Sequence, residues 1–178
     1  MLADRIDSAR LKELAAGQAT QAGQLGIEQL PRLAALLAEG DPPLIDVAVA
    51  FALAEHGLAR LELSLRGQLR LVCQRCLGPV DWPVELEASL TVVADDGESG
   101  MLEDPFESVV LPEDGLRLDQ IAEDEVLAAV PLAPRHRPEA ACSGPAQVGG
   151  SRQGDADDTS RPFAELAAML KAGHRQAD

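Results

Sequence analysis

At 178 residues and 46% hydrophobic content the chain is long enough for one domain with a real core and short for two. The apolar content is almost wholly aliphatic, with three Phe, one Trp and no Tyr, which argues against an aromatic sheet that stacks nucleic-acid bases. No apolar run reaches the ~18 residues of a membrane span, and Met1 to Asp7 lacks the basic-then-apolar order of a secretory leader, so the expectation is a cytoplasmic protein whose three cysteines serve metal or redox chemistry rather than disulfides.

The net charge of −15 is unevenly spread. Residues 1–80 hold nine acids and eight bases, residues 81–130 hold fifteen acids against Arg117 alone, and residues 131–178 balance six against six. A surface of that sign repels phosphate backbones and attracts basic proteins. A solvated acidic loop that only aids solubility is the plainer explanation.

In chain order, residues 1–43 read as a helical segment. Asp7 and Ser8 can cap a short helix through Leu11 and Leu14, and Pro31 suits the first turn of a helix over 32–39 that Gly40 ends. From residue 44 the period becomes two: Val47, Val49, Phe51 and Leu53 alternate with small or polar residues. After His56-Gly57, Leu61, Leu63, Leu65, Leu69 and Leu71 alternate with Glu62, Ser64, Arg66, Gln68 and Arg70, with a bend or bulge expected at Gly67. A third strand follows the Gly78-Pro79 turn through Val84, Leu86, Leu90 and Val92, completing an antiparallel meander. Residues 94–117 read as a mobile acidic loop with a short strand near Ser108–Leu111, and Asp119 is placed to cap a helix that Pro131 stops. Residues 143–161 are Gly-, Ser- and Asp-rich, hence a disordered linker, and residues 162–173 an amphipathic helix with Phe163, Leu166 and Leu170 on its apolar stripe.

The chemistry-bearing motif is Cys73-Gln74-Arg75-Cys76 at the end of the second strand. A tetrahedral zinc site would need His136 and Cys142 as its second half, an H-x5-C spacing slightly wider than common fingers. The spacing equally permits three plain reduced cysteines. Thioredoxin-like chemistry requires the pair at a helix N-terminus, whereas here it ends a strand. A thiol nucleophile could be paired on paper with His56, His136 or His174, but no P-loop, H-E-x-x-H or G-x-S-x-G accompanies it. Glu123, Asp124 and Glu125 are candidates for a partner-binding acidic cluster, with helix capping and solvation as the simpler account. For RNA, Arg60, Arg66, Arg70 and Arg75 are the nearest thing to a cationic group, the first three on one strand face beside Glu62.

Four segments carry a family likeness: Val72–Pro79, Glu123–Pro134, His136 to Cys142, and Pro162–Lys171. In this order they resemble the YceD family, the large ribosomal RNA subunit accumulation proteins of bacteria and plastids, over residues from about 44 to 171. The resemblance implies a non-enzymatic role in the synthesis, processing or stability of large-subunit ribosomal RNA. Some relatives carry a cysteine-rich C-terminal segment that looks zinc-binding, where this chain has His136 and Cys142.

The expectation is thus an α+β protein: a small antiparallel β-meander covered by helices (core 44–142), with an acidic loop and a flexible C-terminal tail. It would act through a basic ribosomal protein or assembly factor of the large subunit, or, as alternatives, on ribosomal RNA directly or as a thiol enzyme.

Overall fold

The computed structural model describes residues 2–100, 102, 107–137 and 142. Its elements in order are β1 (Arg5–Ile6), α1 (Ser8–Ala16), β2 (Thr20–Gly26), α2 (Pro31–Ala34), β3 (Leu44–Leu53), β4 (Ala59–Val72), β5 (Pro79–Val93), α3 (Asp96–Ser99), β6 (Ser108–Val110), β7 (Leu116–Arg117) and α4 (Leu118–Ala129). The expected linker over 143–161 and helix over 162–173, with Phe163, Leu166 and Leu170, lie outside the described residues.

The alternating strands form the centre of a five-stranded sheet in the order β2-β3-β4-β5-β6. Period-two patterning puts Ile45, Val47, Val49 and Phe51 of β3, Leu61 through Leu71 of β4, and Val84, Leu90 and Val92 of β5 on one face, all buried. That face packs on Leu11 and Leu14 of α1, Leu33 of α2, and Leu118, Ile121 and Val126 of α4. The result is an α+β fold with its core between the helices and one side of the sheet. Asp7 caps α1, its carboxylate accepting from the Arg10 N–H at 2.8 Å, as the sequence suggested.

The N-terminal segment departs from the helical expectation. Thr20–Gly26 is an edge strand antiparallel to β3, and Arg5–Ile6 pairs with β7. Only Leu25 and Gly26 of β2 are buried, so the strand shows no apolar alternation, and its identity comes from backbone pairing. The helix expected over 32–39 ends after one turn because β4 runs beyond the end of β3. Its outer groups are met there by the segment after α2: the Ala38 N–H donates to the Arg70 carbonyl at 2.7 Å, and Leu37 bridges Leu71.

Within the stretch 94–117 the expected short strand is present as β6, Ser108–Val110. β6 lies parallel to β5, matching Thr91 with Ser108 and Val93 with Val110. α4 begins at Leu118, two residues before the Gln120 start that an Asp119 cap implies. Asp119 lies inside the first turn and not at the N-cap, which is Arg117: its buried carboxylate takes hydrogen bonds from the Gln120 N–H at 3.0 Å, from Arg117 Nε at 3.0 Å and from Arg117 Nη2. Val130 is extended (ψ 129°) as the residue before Pro131 should be, and the helix stops there.

No bulge occurs at Gly67. The register runs unbroken through Gly67↔Val84 on one side and Ile45↔Gly67 on the other. The glycine is required for a close approach instead: a Cβ there would stand 2.8 Å from the Leu44 carbonyl oxygen. Gly67→Val should therefore lower the free energy of unfolding by about 1–3 kcal/mol in a urea titration, through local overpacking. An unchanged midpoint would contradict this placement.

Candidate metal centre

β4 and β5 pair from Ala59↔Val92 to Val72↔Pro79, and the turn between them is Cys73–Gly78. It is closed by Cys73 N–H to the Gly78 carbonyl at 2.9 Å and by Leu77 N–H to the Cys73 carbonyl at 2.9 Å. To close so tightly the chain enters the left-handed region at Leu77 (φ 59°), unusual for a branched residue, and holds that side chain 75% exposed.

After Pro131 the chain returns along the first half of β5. β6 reaches only Thr91–Val93, so this half of β5 is a sheet edge, which is also why Pro79 and Pro83 are tolerated in it. The Gln74 N–H donates to the Pro134 carbonyl at 2.8 Å, and His136 Nε2 lies 2.8 Å from the Pro79 carbonyl.

These contacts bring Cys73, Cys76, His136 and Cys142 together, with their ligand atoms all within 4.8 Å of one another. Cys73 Sγ to Cys142 Sγ is 4.0 Å, and His136 Nδ1 lies 3.5 Å from both Cys76 Sγ and Cys142 Sγ. A tetrahedral ion with bonds of about 2.3 Å to sulfur and 2.0–2.1 Å to nitrogen requires edges of about 3.8 Å (S···S) and 3.5–3.6 Å (S···N). Three of the six edges are thus close to tetrahedral length, and the four residues could hold one metal ion. The Pro79 carbonyl can only accept, so Nε2 carries the imidazole proton and Nδ1 keeps its lone pair for a ligand, the orienting contact expected of a metal-bound histidine.

Electrostatics of the cluster agree with its geometry. The Cys73 thiol is lowered to about 5, chiefly by the Cys76 backbone N–H aimed at it, with burial opposing and the Arg75 and His136 amides assisting. The Cys142 thiol is raised, first by burial and then by the neighbouring sulfurs, an effect a cation would reverse. Turn amides thus do at Cys73 what a helix N-terminus does in redox proteins. Yet Cys73 has no exposed surface for attack on a substrate. His56 sits in the β3–β4 turn, at the far end of β4, and His174 lies outside the described residues.

Other expected site residues fall elsewhere. Glu123 is 3% exposed and turned inward: it accepts from the Arg32 N–H at 2.8 Å, the Leu33 N–H at 3.1 Å and Arg32 Nε at 2.8 Å, so it caps α2 rather than facing a partner. Asp124 pairs with the same arginine at 2.7 Å. Glu125 is half-buried, its carboxyl pushed up by burial and then by Asp124. Arg60, Arg66 and Arg70 do line the outer sheet face, but among acids: Arg66 stands between Asp46 and Glu85, and Arg70 pairs with Asp81 at 3.4 Å. Arg75 lies apart from them, inside the Cys73–Cys76 turn. Sequence reasoning passed over Trp82, Arg135 and Arg137, which gather beside the cysteine cluster. The signal available for the two arginines was their position on either side of His136.

Among the described residues no helix is long and apolar enough to cross a membrane. If the cluster holds an ion, Cys73→Ser should lose it and with it about 3 kcal/mol or more of stability, read by metal analysis beside thermal unfolding. Retention of metal and melting temperature would contradict the assignment.

No solved structure is matched by the chain. The family model described as "Large ribosomal RNA subunit accumulation protein YceD" matches residues 61–170, a span that takes in β4 from Leu61 onward, the cysteine turn, α4, His136 and Cys142. The chain belongs to the YceD family, whose name ties it to accumulation of large-subunit ribosomal RNA.

Proposed function

We propose that this protein is a non-enzymatic ribosome-biogenesis factor that supports the synthesis, processing or stability of large-subunit ribosomal RNA by docking a basic ribosomal protein or assembly factor. Family membership supports the RNA theme. The observation that carries the docking mode is the placement of the acids.

Of the fifteen acids between 81 and 130, several are engaged within the fold. Asp81 pairs with Arg70, Asp114 with Arg5, Asp119 with Arg117, and Glu123 and Asp124 with Arg32. The rest include Asp95, Glu98, Glu107 and Glu113, grouped where β5 ends and β6 and β7 begin; Asp95 and Glu98 accept backbone N–H groups there, from Glu98 at 2.9 Å and from Ala94 at 2.7 Å, and form no ion pair with a cation among the described residues. This end, not the 123–125 cluster, is the proposed partner face, and Phe163, Leu166 and Leu170 are proposed to add an apolar contact. The outer sheet face, where Asp46 and Glu85 flank Arg66 and Asp81 opposes Arg70, offers phosphates no continuous cationic track. Zinc, proposed for Cys73, Cys76, His136 and Cys142, would act structurally: all four positions are filled by protein, leaving none open for a substrate.

Affinity capture from cells, with and without ribonuclease, tests this reading. The expected result is a basic large-subunit protein that survives ribonuclease. With that partner purified, Glu98→Gln, Glu107→Gln and Glu113→Gln together should slow association by about tenfold at low salt. Recovery of RNA alone, lost on ribonuclease, would overturn it.

A further inference from the structure

The return of Pro131–Arg137 along the edge of β5 leaves a cleft of about 970 Å³, at the upper end of the ~300–1,000 Å³ range of ligand sites. Arg75, Arg135 and Arg137 line it together with Trp82, Pro83 and Pro134. We propose that this cleft binds a short single-stranded RNA segment, with the three guanidinium groups on successive phosphates and a base against the Trp82–Pro83 ledge.

Charge supplies the first reason. In a chain of net charge −15, three cations converge on one concavity. All three arginines are exposed, and neither Arg135 nor Arg137 pairs with a carboxylate among the described residues. Asp81, the acid that shares the cleft, is met by Arg70 at 3.4 Å.

Preorganisation is the second. Arg75 immediately precedes Cys76, and Arg135 and Arg137 flank His136, so every cation sits next to a residue of the cluster. Closing that cluster fixes the backbone of all three and lowers the ordering cost of binding.

The third is shape and ligand chemistry. Planar guanidinium groups match phosphate oxygens two at a time, and an indole beside proline rings gives a base an apolar face to lie on, which an acidic peptide would leave unused. A cleft along one strand edge admits a single strand rather than a duplex, whose bases are stacked inside. The site is separate from the acidic end, so the protein would bridge a basic protein at one end and RNA at the other.

Trp82 is the only tryptophan and so a built-in reporter. Titrating the full-length, zinc-loaded protein with a mixed-sequence single-stranded RNA about twelve nucleotides long should quench its fluorescence. The logarithm of the association constant should fall with the logarithm of salt with a slope of about −2, three phosphates at ~0.7 each, so a fourfold rise in salt weakens binding about sixteenfold. Arg135→Gln with Arg137→Gln should reduce the slope to about −0.7. Glu107→Gln with Glu113→Gln should leave the RNA curve unchanged, which separates this site from the docking face proposed above. Unchanged zinc content and melting temperature in the arginine variant distinguish lost contacts from lost fold, and Arg137→Gln alone serves if the double variant fails that check. Absence of quenching, a wild-type slope in the variants, or competition by polyglutamate as effective as by unlabelled RNA would overturn the proposal.

Discussion

The constraint on which the functional end depends is where the β4–β5 ladder stops. Its apolar parity holds from Leu61 to Leu71 without a bulge because Gly67 lets the Leu44 carbonyl approach, so Cys73, the first residue of the turn, continues that parity and arrives on the buried side. A one-residue slip would send Cys73 to solvent and Arg70 into the core. The left-handed Leu77 then turns the chain within a few residues and sets Cys76 on the same side. Only from that geometry can His136 and Cys142, sixty and more positions away in sequence, close the group, and Pro131 supplies the break that sends α4 back toward them.

The same ladder separates two chemistries. With 14 residues in β4, its ends lie about 45 Å apart at the usual strand rise. One end carries the cysteine cluster and three arginines, the other Asp95, Glu98, Glu107 and Glu113. Between them the outer face sets Arg66 between Asp46 and Glu85 and Arg70 opposite Asp81, with Glu62 and Glu87 on the same face, so no cationic patch builds up there. A net charge of −15 therefore describes no single surface of the molecule.

Much of this was legible in the sequence, and the exceptions have physical reasons. The three central strands, the Asp7-capped helix and the gathering of Cys73, Cys76, His136 and Cys142 into one cluster that could hold an ion were readable because period-two burial, capping chemistry and Cys/His spacing are local signals. β2 was not, because an edge strand rich in Gln, Gly and Ala owes its form to the strand beside it. Glu123 was misplaced because two adjacent carboxylates look alike in sequence, while only one of them meets the N-terminus of α2. The arginine cleft was hidden for a similar reason: Arg75 and Arg135 are 60 positions apart and become neighbours only when the cluster closes.

The central claim is that three thiolates and one imidazole from two distant segments hold a single ion. X-ray absorption at the zinc edge on the full-length protein as purified tests it without any substitution. Three sulfur scatterers at about 2.3 Å and one nitrogen at about 2.0–2.1 Å are the expected shell. A shell of oxygen and nitrogen alone, or protein that carries no zinc and three titratable thiols, would contradict the account.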